Sequence, residues 1–352
     1  MRILSRSVYQ KLYQRNFTIK SATMLTTGSC ALVLKRKQFL PRFRSEEQKE
    51  RTMKRRRVAF VGVFTALVTP FRQGVVDERR FEQQISRQIS GGVDGIVPVG
   101  TTGESPTLDF EEHERIVELA VSVAAGRVPV IAGTGGNSTA EAVRLTQAAE
   151  KAGADASLQV VPYYNRPTQQ GLTSHFRAIA SATSLPIILY NIPSRCGVEI
   201  AVETVVELAH TCPTIVGIKE AGGNCNRVSR LRCELSEEFS ILSGDDALTL
   251  PFMSVGAHGV ISVVSNVFPN EMKRMVCEAL RNDYTRARAL HKMLFPLVET
   301  LFVETNPAPV KYAMKWLGLD SGELRLPLVE VRPSTKEKIE CALTALGCSK
   351  QI

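Results

Sequence analysis

The 352-residue sequence predicts a (β/α)8 barrel, a TIM barrel, followed by a C-terminal helical appendage. Three observations carry that prediction. Between about residues 58 and 281, eight short apolar runs are each followed by a segment of helical periodicity. The runs are mostly continuous rather than alternating, which marks the strands of a parallel sheet covered on its outer face. Eight such units in about 225 residues fit a closed barrel better than an open doubly wound sheet. After residue 282 the strand signals cease. The expected organisation is a non-globular extension over residues 1–57, a barrel over 58–282 and a three-helix region over 283–352.

Taken in order, Val58–Val68 is the first apolar run, ending at Thr69-Pro70 before a Gln73-Gly74 turn signal. Phe81, Ile85 and Ile89 recur at helical spacing until Gly91-Gly92 stops the helix. Gly95–Val99 is the second strand and leads into Gly100-Thr-Thr-Gly-Glu104. Asp109 with Glu112 forms a capping box for a helix whose core stripe is Ile116, Leu119, Ala120 and Val123. Val128–Ala132 precedes Gly133-Thr-Gly-Gly136, and Ser138 with Glu141 opens a helix to about Ala152. Leu158–Val161 leads to Pro162-Tyr-Tyr-Asn165 and a helix near Thr173–Ala182. Pro186–Asn191 precedes a helix near Val202–His210, and Ile215–Ala221 one near Arg227–Leu235. Phe239–Ser243 and Gly259–Val264 complete the strands, with helices near Ala247–Ser254 and Asn270–Leu280. Arg286–Phe302, Pro309–Leu317 and Thr335–Leu346 form the appendage.

Composition narrows the function. The chain is 44% hydrophobic and 22% charged, and no apolar run approaches the ~20 residues of a membrane span. Its net charge of +9 is unevenly placed: residues 1–57 carry 16 Lys+Arg against 3 Glu, leaving 28 basic and 32 acidic residues for the remainder. A mildly acidic folded part lacks a nucleic-acid footprint. The eight cysteines include no C-x-x-C and the five histidines no close pair, so no metal site is expected, and dispersed cysteines without a secretory signal fit a reducing compartment. The acid-poor, Arg- and Ser-containing first segment reads in two ways. It is a transit peptide, placing the protein in a plastid or other organelle, or it precedes a true start at Met53 and the protein is cytoplasmic.

Ile215-Val-Gly-Ile-Lys-Glu-Ala221 places one lysine inside a run that should be buried. Strand periodicity puts Ile215, Gly217 and Lys219 on one face and Val216 and Ile218 on the other. An ammonium in apolar surroundings finds a partner, here Glu220 or solvent, or loses its proton and becomes a nucleophile able to form a Schiff base. Barrel sites lie where the strands end at their carboxyl side, which gathers Lys219, Tyr190, Tyr163, Tyr164, Thr101, Thr102, Gly244 and Ile261. Tyrosine and threonine hydroxyls both donate and accept, so they can relay the protons that Schiff-base chemistry moves. Each has a plainer alternative: Tyr190 as a packing residue, Gly100-Thr-Thr-Gly103 as a strand-to-helix turn.

Residues 58–347 resemble the dihydrodipicolinate synthase family of pyruvate-dependent class I aldolases. The resemblance is carried, in order, by Gly100-Thr-Thr-Gly-Glu-Ser105, Gly133-Thr-Gly135, Pro162-Tyr-Tyr-Asn-Arg-Pro167, Tyr190-Asn-Ile-Pro-Ser-Arg195, Gly217-Ile-Lys-Glu220, Ser243-Gly-Asp-Asp246 and Gly259-Val-Ile-Ser262. It implies that Lys219 forms an imine with pyruvate, with no cofactor beyond that covalent imine. It further implies a proton relay of Tyr190, Thr101 and Tyr164, the last supplied across a dimer interface. Thr102 would bind the carboxylate of pyruvate, Gly244 and Ile261 would line the pocket, and Arg195 would hold L-aspartate-4-semialdehyde, the second substrate. The competing readings are an N-acetylneuraminate or 2-keto-3-deoxy-sugar lyase, which generally lack Pro-Ser-Arg in this loop, and a non-enzymatic protein on the same fold.

The same resemblance implies a homotetramer built as a dimer of dimers, and feedback inhibition by L-lysine at Ser105, His113, Asn137, Glu141 and Tyr163. Glu141 could equally serve the Ser138 cap, and His113 could face solvent. Phe110, where sensitive relatives have histidine or tryptophan, implies weaker inhibition.

Overall fold

The computed structural model describes residues 60–351. The extension, with its alternative Met53 start, and the first two residues of the expected strand Val58–Val68 lie outside the described residues. Eight parallel strands form the barrel: β1 Gly62–Ala66, β2 Gly95–Val97, β3 Ile131–Gly133, β4 Ala156–Val160, β5 Ile187–Asn191, β6 Ile215–Glu220, β7 Ser240–Ser243 and β8 Gly259–Ser262. Hydrogen-bonded neighbours run β2, β1, β8, β7, β6, β5, β4, β3. A parallel bridge between Ile96 and Val130 closes the ring between β2 and β3. A two-residue antiparallel ribbon, Phe71–Arg72 with Val75–Val76, forms around the Gln73-Gly74 turn.

The barrel helices are α1 Glu78–Ser90, α2 Phe110–Ala124, α3 Thr139–Ala152, α4 Gln169–Ala182, α5 Val202–Thr211, α6 Cys225–Glu234, α7 Thr249–Ser254 and α8 Pro269–Leu280. Asp77, Asp109, Ser138, Thr168 and Asn224 cap five of them by accepting from first-turn amides. At Asp109 the capping box with Glu112 is complete. The appendage contributes α9 Tyr284–Thr300, α10 Ala308–Trp316 and α11 Pro333–Ala345. Among the described residues no helix is long and apolar enough to cross a membrane.

Burial separates two apolar layers. Phe64, Val97, Ile131, Leu158, Ile188, Leu242 and Ile261 fill the barrel interior, while Ile96, Leu189, Ile218 and Ile241 pack outward against Phe81, Ile85 and Phe176 of the helices. The strands are therefore apolar on both faces, which is why they read as continuous runs.

Four local expectations are corrected. The pairing of β5 with β6 shifts by one residue, Ile187 opposite Ile215 but Ile188 opposite Gly217. This bulge turns Ile215 outward with Ile218 and brings Val216 against the interior, so Ile215 does not share the face of Lys219. The second strand ends at Val97 rather than Val99, because Val99 takes a left-handed backbone (φ 49°) that a strand cannot continue. The last strand ends at Ser262 rather than Val264, because the amides of Val263 and Val264 turn to donate to Asp246. The α4 helix begins at Gln169, four residues ahead of expectation, because Thr168 caps it.

Side chains tie the appendage to the barrel. Lys311 of α10 is fully buried, with Nζ 2.6 Å from Glu104 Oε1 and donating to the carbonyl of Thr69 at 2.8 Å. Arg325 grips Glu112 through both guanidinium ends, Nη1 at 2.5 Å and Nη2 at 2.6 Å, and lies over the Phe71 ring.

Candidate active site

Adjacent strands β5 and β6 place Tyr190 and Lys219 in register, both pointing into the barrel. Lys219 is 6% exposed, and its Nζ lies 4.2 Å from the centre of the Tyr190 ring. Burial pulls the amine down to about 8; the positive charge of Arg195 acts in the same direction and Asp246 opposes it. Glu220 is not its partner. That carboxylate is buried and engaged by Arg227 Nε at 2.7 Å, Asn191 Nδ2 at 2.8 Å and the amide of Gly222 at 2.7 Å.

Burial pushes the Tyr190 hydroxyl up to about 12, moderated by the Arg195 charge and a hydrogen bond to the Thr101 side chain. Tyr190 thus stays protonated near neutrality, able to donate beside an amine that can lose its proton. Gly244, just after β7, lies against the lysine stem: a Cβ there would sit 2.9 Å from Lys219 Cε and 2.8 Å from the Ala221 methyl. Ile261 of β8 lines the same interior, 1% exposed.

The threonine loop is a strained turn. Val99 and Glu104 both have positive φ, and a Cβ on Gly133 would lie 2.5 Å from the carbonyl oxygen of Val99, so the Gly133-Thr-Gly135 run makes room for that turn. Thr102 is buried and accepts from Asn306 Nδ2 at 3.0 Å. Arg195 sits in a one-turn helix, Pro193–Cys196, and donates to the carbonyl of Asn306 at 3.0 Å.

A cavity of about 580 Å³ opens over this group, lined by Thr101, Tyr190 and Arg195 and continuing to Ser105, Phe110, His113, Glu141 and Tyr163. Lys219 is one side chain below it, beside the Tyr190 ring. Asn137 stands behind Tyr163, donating to its carbonyl at 3.3 Å. The alternative of a solvent-facing His113 fails: it is 4% exposed and bonds the carbonyl of Gly133 at 2.9 Å through Nε2, with burial lowering its pKa. Tyr163 has its hydroxyl pKa raised by burial and by the charge of Glu141. Phe110 is 39% exposed and stacked under the Arg144 guanidinium.

Within one chain, Lys219, Tyr190, Thr101, Thr102, Arg195, Gly244 and Ile261 converge, whereas Tyr164 does not. It is 90% exposed, at φ 70°. Asn306 and Asp246 went unassigned at the sequence level. Asp246 could have been found as the end of the Ser243-Gly-Asp-Asp246 motif. Its carboxyl is buried, and burial raises its pKa against hydrogen bonds from Ser262, Val263 and Val264.

Residues 59–346 match the model of the dihydrodipicolinate synthetase family. The chain belongs to that family. It is 52% identical over 280 residues to the 4-hydroxy-tetrahydrodipicolinate synthase of Aquifex aeolicus, covering 80% of this chain and 95% of that one. Among solved structures, the 4-hydroxy-tetrahydrodipicolinate synthase of Methylacidiphilum fumariolicum SolV superimposes with a TM-score of 0.81 at 54% identity, over 82% of this chain and 96% of that one. The family enzyme of Cyanidioschyzon merolae, solved with lysine bound, gives 0.80 at 44% identity over 82% and 98%. A family barrel with a C-terminal helical region accounts for every element from β1 to α11. The segment before residue 59 stands outside the family match.

Proposed function

We infer that this chain condenses pyruvate, held as an imine on Lys219, with L-aspartate-4-semialdehyde to give 4-hydroxy-tetrahydrodipicolinate, the committed step toward diaminopimelate and lysine. The observation that carries the reading is the amine of Lys219, drawn down to about 8 beside a tyrosine that keeps its proton. The free amine adds to the ketone carbon of pyruvate. The carbinolamine then loses its hydroxyl as water, with the Tyr190 hydroxyl donating the proton. The protonated imine acts as the electron sink when a methyl proton leaves, and the resulting enamine attacks the aldehyde carbon. Ring closure by the amine of the semialdehyde displaces Lys219.

Thr101 passes protons to and from Tyr190, and Tyr164 of a second copy completes the relay. Thr102 receives the carboxylate of pyruvate. Arg195, which lines the cavity, receives the carboxylate of the semialdehyde, a task that suits a planar guanidinium. The synthase names of relatives near 50% identity favour this reaction over a sugar-acid lyase. The test is intact mass after borohydride treatment with pyruvate: a pyruvate-derived adduct forms on the wild type and not on Lys219→Ala. An adduct surviving in that variant would move the nucleophile elsewhere. Arg195→Ala keeps the adduct but loses about 2–4 kcal/mol of transition-state stabilisation with the semialdehyde.

L-lysine is the proposed inhibitor at the other end of the cavity. Glu141 would pair with an ammonium, and Ser105, His113 and Tyr163, which line the cavity with it, would supply hydrogen bonds, joined by Asn137 from beside Tyr163, outside the lining; Tyr163 adjoins Tyr164 of the relay. That a relative 44% identical was solved with lysine bound supports lysine as the ligand. Phe110 offers an apolar wall in place of a polar contact, so inhibition is weaker than in the most sensitive relatives. Initial rate against added L-lysine tests it, and Glu141→Ala should abolish the response.

A further inference from the structure

The two proposed carboxylate receptors, Thr102 after β2 and Arg195 after β5, belong to different parts of the barrel, yet one residue of the appendage touches both. Asn306, two residues ahead of α10, is 5% exposed. Its Nδ2 donates to Thr102 Oγ1 and its backbone carbonyl accepts from Arg195 Nη2, each at 3.0 Å. Its Oδ1 has no hydrogen-bond partner. A hydroxyl that accepts from an amide N–H aims its own proton elsewhere. A carboxylate can only accept, so a threonine turned this way is set to donate to one.

The same segment also holds the loop from beneath. Lys311 pairs with Glu104 at 2.6 Å and donates to the carbonyl of Thr69 at 2.8 Å. The Thr69 hydroxyl in turn donates to the carbonyl of Gly103 at 2.7 Å. The loop from Gly100 to Glu104 is therefore held from the appendage at Thr102 itself and, just after the threonine pair, at Glu104 directly and at Gly103 by way of Thr69. We propose that Asn306 is a positioning residue that orients the Thr102 hydroxyl toward the carboxylate of pyruvate and links that receptor to Arg195, with the Glu104–Lys311 pair holding the loop in place. The appendage is thereby a working part of the active site. This rests on the receptor roles given above to Thr102 and Arg195.

The experiment uses the full chain with Asn306→Ala and Asn306→Asp, each alone and combined with Thr102→Ala. It measures the pyruvate concentration giving half-maximal borohydride trapping, with thermal unfolding alongside. Asn306→Ala raises that concentration about tenfold. Asn306→Asp raises it further, because a carboxylate takes the Thr102 proton for itself and repels the substrate. In the Thr102→Ala background, Asn306→Ala adds less than about twofold, since the group it acts through is gone. Asn306→Asp is nearly isosteric and carries the same comparison if the alanine variant does not fold. Wild-type trapping in the Asn306 variants would overturn the inference alone, as would an effect that multiplies fully with Thr102→Ala, which is what a general loosening would give. Failure of the wild type to be trapped would overturn the imine reading and this inference with it.

Discussion

Burying the Lys219 amine costs stability in the state that exists at neutral pH. Its drop from 10.5 to about 8 corresponds to roughly 3 kcal/mol. Below pH 8 both folded and unfolded chains hold the proton, so the full cost applies there. As pH rises from about 8 to 10.5 the unfolded chain holds more protons than the folded one, and the cost fades. Lys219→Met is therefore expected to be more stable than the wild type at pH 7 by an amount of this order, with the gap closing above about pH 10.5; urea unfolding at pH 7 and pH 10.5 measures it. The same titration governs chemistry, so the rate of adduct formation should climb through about pH 8 and then level. Gly244 sets a different limit, because a methyl group there cannot coexist with the present lysine stem. Gly244→Ala should slow imine formation on the order of 10- to 100-fold with the fold retained, since displacing a reacting group by about 1 Å costs that much; single-turnover trapping would read it, and an unchanged rate would show that the stem has room to move.

At the scale of elements, the barrel presents functional groups at strand ends and the appendage locks one of those ends. Lys311 and Glu104 are both fully buried, so removing one partner leaves a charge with no water to receive it. Lys311→Met is expected to cost about 3–5 kcal/mol of unfolding free energy, and the double variant with Glu104→Gln to recover a large part of it. Equal losses in single and double variants would count against the pair. What was legible in the sequence follows the same division. The eight strands, the Asp109 capping box and the lysine strand could be read because each depends on neighbours a few residues away. The bulge at Val216 could not, since a run of Ile-Val-Gly-Ile carries no mark of the slipped register with β5. The start of α4 was missed because Gln169, Gln170 and Gly171 show no apolar stripe before Leu172. Asn306 was invisible for a plainer reason: its partners Thr102 and Arg195 are 204 and 111 residues away.

For the whole molecule, the role proposed for Tyr164 bears on what the working unit is. A left-handed backbone at φ 70° projects a ring that is 90% exposed, and an aromatic side chain held out from the surface at a loop after β4 is suited to enter a second copy. On the proposed reading a two-fold interface would make that exchange mutual, each copy completing the relay of the other. Complementation follows from this arrangement. Lys219→Ala chains have no nucleophile and Tyr164→Phe chains have no relay hydroxyl to lend, so each homodimer should be impaired, the first abolished and the second lowered in kcat. In a mixed dimer the Tyr164→Phe chain keeps its own Lys219 and borrows the intact Tyr164 of the Lys219→Ala chain, giving one complete site. Equal amounts unfolded together and refolded should therefore recover about a quarter of wild-type activity, because half of the dimers are mixed and each has one working site of two. Activity no higher than the average of the two parent variants would place Tyr164 in the site of its own chain or outside the reaction.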